Sequence, residues 1–95
     1  MIVREGDRYF IEGALTMGTV QTALAEGHQL FDGPQVQVDL GRVTEVDSSA
    51  VSLLLEWMRA ASRGGWTMRY TDFNTNLKSL AVLYGVSGLF LGVDD

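Results

Sequence analysis

The strongest constraint on this chain is the run SSAVSLLLEWMRAAS, Ser48 to Ser62, followed shortly by Gly64-Gly65. Wound at about 100° per residue, Ala50, Leu54, Trp57 and Ala61 centre one apolar face. Ser52, Glu56, Arg59 and Arg63 form a polar stripe opposite, with Ser48 and Ser49 at its start. Val51, Leu55 and Met58 widen the apolar face on one flank, and Leu53 and Ala60 widen it on the other. An arc this broad implies a helix wedged deeply into a core, or one with a shoulder that meets a partner. The paired glycines supply a left-handed stop.

Such a helix needs a surface to cover it, and strands on either side provide one. In QVQVDL, Val36, Val38 and Leu40 alternate with Gln37 and Asp39 at strand period. Val43 to Val46 form a strand-like approach to Asp47. Trp66 to Tyr70 is a third strand candidate. Upstream, Arg8 to Leu15 (RYFIEGAL) reads as one strand bent at Gly13. Thr16 is placed to cap a weaker helix, with Met17, Val20, Ala23, Leu24 and Phe31 on one side and Gly18 and Gly27 weakening it. Asp32-Gly33-Pro34 marks a turn. Asn76 is placed to cap a last helix with Leu77, Leu80, Ala81 and Tyr84 on one face, closed by Gly85. Val86 to Val93 fits either a short strand or a packed tail. The order β–α–β–α–β–α implies an α/β layer: a small, mostly parallel or mixed sheet with helices packed on it and right-handed crossovers.

With 95 residues, 46% hydrophobic and 20% charged, residues 1–95 are sized for a single small domain with a modest packed core. The net charge is −5 and the seven cations are dispersed. That disfavours nucleic acid, which demands clustered Lys and Arg, and direct attraction to anionic lipid. With no cysteine, thiol catalysis and zinc thiolate sites are excluded. The opening MIVREGDRYF lacks the apolar core of a signal peptide, and no apolar run approaches the ~20 residues that span a bilayer. The expected place is the cytosol, with any membrane association indirect.

Few residues could carry chemistry. His28 is the one histidine, and its position after Gly27 suits a surface or helix-end role better than catalysis. The acidic pairs Glu5/Asp7, Glu45/Asp47 and Asp94/Asp95 match no metal-loop spacing, and no phosphate-binding glycine motif is present. No metal and no cofactor is expected. Asp47-Ser48-Ser49 remains. An Asp or Ser there caps the helix and satisfies free amides. The capping box is absent, because Val51 stands three residues after Ser48. Two small hydroxyl residues exceed what one cap needs. They also suit a docking point, or a phosphorylation switch favoured by the helix dipole and free N–H groups. The residues alone leave cap, docking point and switch open.

The segments D-S-S-A at Asp47–Ala50, V-x-V-D-L at Val36–Leu40 and G-x-L at Gly13–Leu15 together resemble STAS domains, across essentially the whole chain. The tail NLKSLAVLYGV, Asn76 to Val86, is similar to the L-A-x-L-Y-x-[VL] helix of MlaB-type STAS proteins. That resemblance implies a STAS fold and a non-enzymatic cytoplasmic subunit, peripheral to the inner membrane. Such a subunit binds the ATPase of an ABC transporter for phospholipid trafficking, which maintains outer-membrane lipid asymmetry. It implies that Ser48 lies at the ATPase interface; Asp47, capping the helix, and Ser49, a second small contact, are expected to take part in partner binding beside it. The alternative it implies is an anti-sigma-factor antagonist, in which a partner anti-sigma kinase phosphorylates Ser48. Ala50 stands where antagonists usually have Gly, and Ala14 and Thr16 replace commonly acidic positions, which favours the transporter reading.

Overall fold

The computed structural model describes residues 1–91. In chain order the elements are β1 (Ile2–Glu5), β2 (Arg8–Ile11), β3 (Gly13–Leu15), α1 (Val20–Leu30), β4 (Gln35–Asp39), β5 (Val43–Val46), α2 (Ser48–Gly64), β6 (Thr67–Thr71), α3 (Thr75–Leu83) and α4 (Ser87–Leu91). A four-stranded sheet runs β1-β2-β4-β6. The β1–β2 pair is antiparallel, whereas β2–β4 and β4–β6 are parallel. A separate parallel pair joins β3 to β5. This is the mixed α/β architecture expected from the strand–helix alternation.

The simple β–α–β–α–β–α order needs enlarging at both ends and in the middle, where β5 stands between β4 and α2. An unanticipated β1 folds back on β2 through Gly6, whose φ of 65° suits a tight hairpin. The expected single strand from Arg8 to Leu15 is two strands. Gly13, at φ 97°, turns the chain out of the main sheet, so that β3 pairs with β5. At the other end the segment from Val86 is not a strand but packs, as the tail alternative has it: a short helix, Ser87–Leu91, seats Phe90 at 5% exposure. Residues 92 and 93 of that expectation lie outside the described residues.

On the sheet, Tyr9, Ile11, Val36, Val38, Met68 and Tyr70 are buried and alternate with less buried Arg8, Phe10, Gln37 and Arg69. Against the buried face lies α2, with Ala50, Val51, Leu53, Leu54, Trp57 and Ala61 buried. Deep wedging therefore accounts for most of its wide apolar arc, and each large side chain buried there is worth roughly 1.5–3 kcal/mol. The helix ends as its glycines require, with Gly65 at φ 74° and its N–H donating to Ala61 O.

Two expected caps move. Thr16 does not cap α1, which begins at Val20 with Thr19 in the cap position. The Thr19 hydroxyl instead turns back, donating to Ala14 O at 2.7 Å and accepting from the Thr16 N–H at 2.9 Å. The added turn lifts Met17 off the core face, to 79% exposure. On α3, the cap is Asn74 rather than Asn76. Its Oδ1 accepts from the Leu77 N–H at 2.7 Å, because residue 74 has the extended backbone a cap needs (φ −76°, ψ 166°). The helix ends at Leu83, which leaves Tyr84 53% exposed instead of packed with Leu77 and Ala81.

Candidate functional site

The end of β5 delivers Asp47 in extended conformation (φ −134°, ψ −171°) to the head of α2. Its two carboxylate oxygens do different work. Oδ1 accepts from the Ser49 N–H at 2.8 Å, which caps the helix. Oδ2 accepts from the Met17 N–H at 3.0 Å, which holds the turn between β3 and α1. The Asp47 N–H donates to Leu15 O at 3.3 Å, extending the β3–β5 ladder to the same place. One side chain thus locks two segments that are 30 residues apart. The Met17 amide, and then Ser49, hold this carboxyl below its ordinary value, so it is ionised at neutral pH.

The three residues singled out in the sequence therefore stand together but differ in role. Asp47 is half-buried and structural. Ser48, the first residue of α2, is exposed, and Ser49 is half-buried with its amide on Asp47. One amide that could have received a phosphate is already used by that carboxylate. The polar stripe behind the serines is in place: Glu56 pairs with Arg59 at 3.4 Å and with Arg63 at 3.5 Å. These are surface pairs of little energetic weight.

A groove runs along each side of this serine ridge. The one toward α3, about 450 Å³, is lined by Ser48, Ser52, Leu55, Tyr84 and Val86 among others, with no charged side chain. The one toward α1 has a similar volume of about 450 Å³ and is lined by Met17, Val20, Leu24 and Leu53, with Glu56 and Arg59 at its end. Ser49 and Ser52 border both. Helical spacing had assigned Met17 and Tyr84 to core faces. The available signal was the glycine after each, Gly18 and Gly85, which removes both from the helices they adjoin.

His28 is exposed in the last turn of α1, and it lines a different cavity, with Phe31, Trp57 and Trp66. Among the described residues, no three His, Cys, Asp or Glu side chains cluster as a metal site. No helix among them is long and apolar enough to cross a membrane. What the ridge offers chemically is hydrogen-bonding hydroxyls and neutral apolar surface, on a backbone fixed by Asp47.

Against known families, the model described as "Mlab, STAS domain" matches residues 7–92. No curated protein matches the sequence. Among solved structures, the anti-sigma factor antagonist SpoIIAA in its unphosphorylated form aligns with a TM-score of 0.73 at 16% identity, over 96% of this chain and 84% of that one. A sulfate transporter family protein from Wolinella succinogenes aligns with a TM-score of 0.70 at 16% identity, over 93% and 78%. These two likenesses are of fold. A structure of Mglu gives 0.61 at 27% identity over 79% of this chain, which spans only 20% of the Mglu chain.

Proposed function

The chain belongs to the Mlab STAS-domain family, and on that premise we propose that it is a non-enzymatic subunit that binds and regulates the ATPase of an ABC transporter for phospholipid trafficking. In this role it serves outer-membrane lipid asymmetry from the cytoplasmic side of the inner membrane, which it reaches through its partner. The observation that carries the reading is the exposed Ser48 at the head of a rigid helix, beside a carboxylate that fixes both adjoining segments. A surface preformed in this way binds with little ordering cost. Ser48 and Ser49 contribute small hydrogen-bonding contacts, and Asp47 holds the frame. Regulation follows from unequal affinity for the conformational states of the ATPase, since a subunit that bound all states equally would shift none of them.

Ser48→Arg tests this. The position is exposed, so the variant should keep its circular dichroism spectrum and its melting temperature, while the ATPase no longer co-purifies. Normal co-purification and normal lipid transport by this variant would contradict the reading.

A second reading is favoured by the fold shared with SpoIIAA and by the exposure of the same hydroxyl: an anti-sigma-factor antagonist switched by phosphorylation of Ser48. A phosphate adds about −1.5 to −2 charges. Here it would stand next to an ionised Asp47 that already occupies the Ser49 amide, so it would act by like-charge repulsion. Under this reading Ser48→Ala stays bound to the kinase constitutively. A Ser48 that accepts no phosphate from the cognate kinase removes it.

A further inference from the structure

Met17 and Tyr84 are exposed apolar side chains on opposite sides of the serine ridge, at 79% and 53% exposure. Single exposed apolar residues are ordinary on any protein surface. These two differ from the exposed Leu30, Val82, Leu83 and Leu89 in that each lines one of the two grooves that flank the ridge, and their backbones are also fixed. The Met17 amide is held by Asp47, and the turn around it by the Thr16–Thr19 and Thr19–Ala14 hydrogen bonds. The Tyr84 N–H donates to Leu80 O at 3.0 Å, and the next two amides close the turn onto Val82 O and Ala81 O. Presenting these side chains therefore costs little backbone entropy on binding. Both are residue types enriched in interface cores, Met for its adaptability and Tyr for rigid area with a polar tip.

We propose that Met17 and Tyr84 are the two apolar anchors of the docking surface, each seated in the ATPase on its own side of the ridge. This rests on the reading above that the ridge binds an ATPase. Ser49 and Ser52 border both grooves, so filling both means gripping α2 from either flank. A folded protein with two separated contacts does this; a single inserted helix reaches one flank. Charge selects a protein over a membrane. The groove beside Tyr84 has no charged lining, and the chain carries a net charge of −5, which an anionic lipid surface repels.

The test is binding of the purified ATPase recovered with the wild-type chain, measured for Met17→Glu, Tyr84→Glu and Leu30→Glu. Leu30, 40% exposed at the far end of α1, controls for added charge on an apolar site. All three changes are on exposed side chains, and melting curves verify folding. Met17→Glu and Tyr84→Glu should each weaken binding at least tenfold, and Leu30→Glu should leave it unchanged. Wild-type affinity in either anchor variant overturns the proposal, as does an equal loss in Leu30→Glu. If Ser48→Arg abolishes binding while both anchor variants bind normally, the anchors are wrong and the ATPase reading stands. If the wild-type chain recovers no ATPase, the reading fails and the anchors fall with it. Binding of the chain to anionic phospholipid vesicles that Met17→Glu abolishes would assign the patch to a membrane, and would likewise overturn the proposal.

Discussion

Replacing Gly27 with alanine puts a methyl group where the Trp57 indole already lies. An ideal Cβ at that position falls 2.6 Å from Nε1 and 2.8 Å from Cε2 and Cζ2. The ring has little freedom to retreat. It is 1% exposed and meets Phe31 edge-on at 5.0 Å, and Phe31 meets Tyr9 in the same way at 5.0 Å. Two effects oppose each other. Alanine improves helix propensity over glycine by about 0.8–1 kcal/mol. Overpacking a filled core costs about 1–3 kcal/mol, and an approach this short against a locked ring belongs at the upper end. The net expectation is a loss of about 1–2 kcal/mol, or roughly 5–15 °C in Tm for a domain of this size. Urea unfolding followed by tryptophan fluorescence, paired with thermal circular dichroism, measures both quantities. Gly88→Ala is the control: it lies in helix α4, and nothing stands within 4 Å of its added Cβ, so its stability should hold or rise slightly. If Gly27→Ala matches or exceeds the wild type at an unchanged m-value, propensity has won. The claim that α1 and α2 meet tightly through this glycine is then refuted.

Two further expectations concern folding. Asn74→Ala removes the cap on Leu77 and should cost about 1 kcal/mol, whereas Asn76→Ala should stay within about 0.5 kcal/mol; equal effects in thermal melts would contradict the assignment. Asp39, 9% exposed, has its carboxyl pushed up mainly by burial, with Asp72 adding to the rise and the Gly41 amide and Arg8 partly offsetting it. A carboxyl whose folded value exceeds its unfolded one stabilises fully at low pH, and that contribution is lost as pH rises through the folded value. Asp39→Asn should therefore gain on the wild type as pH climbs from about 3.5 toward neutrality, and a constant difference across denaturation curves in that range would contradict the assignment.

Local pattern made α2, β4 and β6 readable in the sequence, because each one's own periodicity agrees with its burial, whereas β5, with its valines three apart, shows only as a strand-like approach to Asp47. The pairing of β3 with β5 was not readable. Nothing in GAL says which sheet will take it, and the choice depends on Gly13 turning and on a partner strand 30 residues away. The hairpin signal at Gly6-Asp7 was present, but IVRE has only two apolar residues and does not stand out as a strand. The two displaced caps have different causes. Asn74 and Asn76 are alternatives two residues apart, and tertiary geometry gives Asn74 the extended backbone beside free amides, whereas at α1 the Thr19 hydroxyl is taken up by Ala14 O and the Thr16 N–H and caps nothing. At the site, Asp47-Ser48-Ser49 was legible as a unit because a cap followed by surplus hydroxyls is a sequence pattern. The tether from Asp47 to Met17 was not, since it joins distant segments. The exposure of Met17 and Tyr84 followed from helix ends that periodicity alone had placed too far out, by three residues at the start of α1 and by one at the end of α3.

The most direct measurement is affinity purification of the tagged chain from its own cells, with membrane and cytosolic fractions kept apart and the co-purifying proteins identified by mass spectrometry. The expected result is an ABC ATPase together with its permease in the membrane fraction, lost when Ser48 is replaced by arginine. Recovery instead of a soluble anti-sigma kinase that phosphorylates Ser48, with no ATPase in either fraction, would contradict the transport reading and make Ser48 a switch.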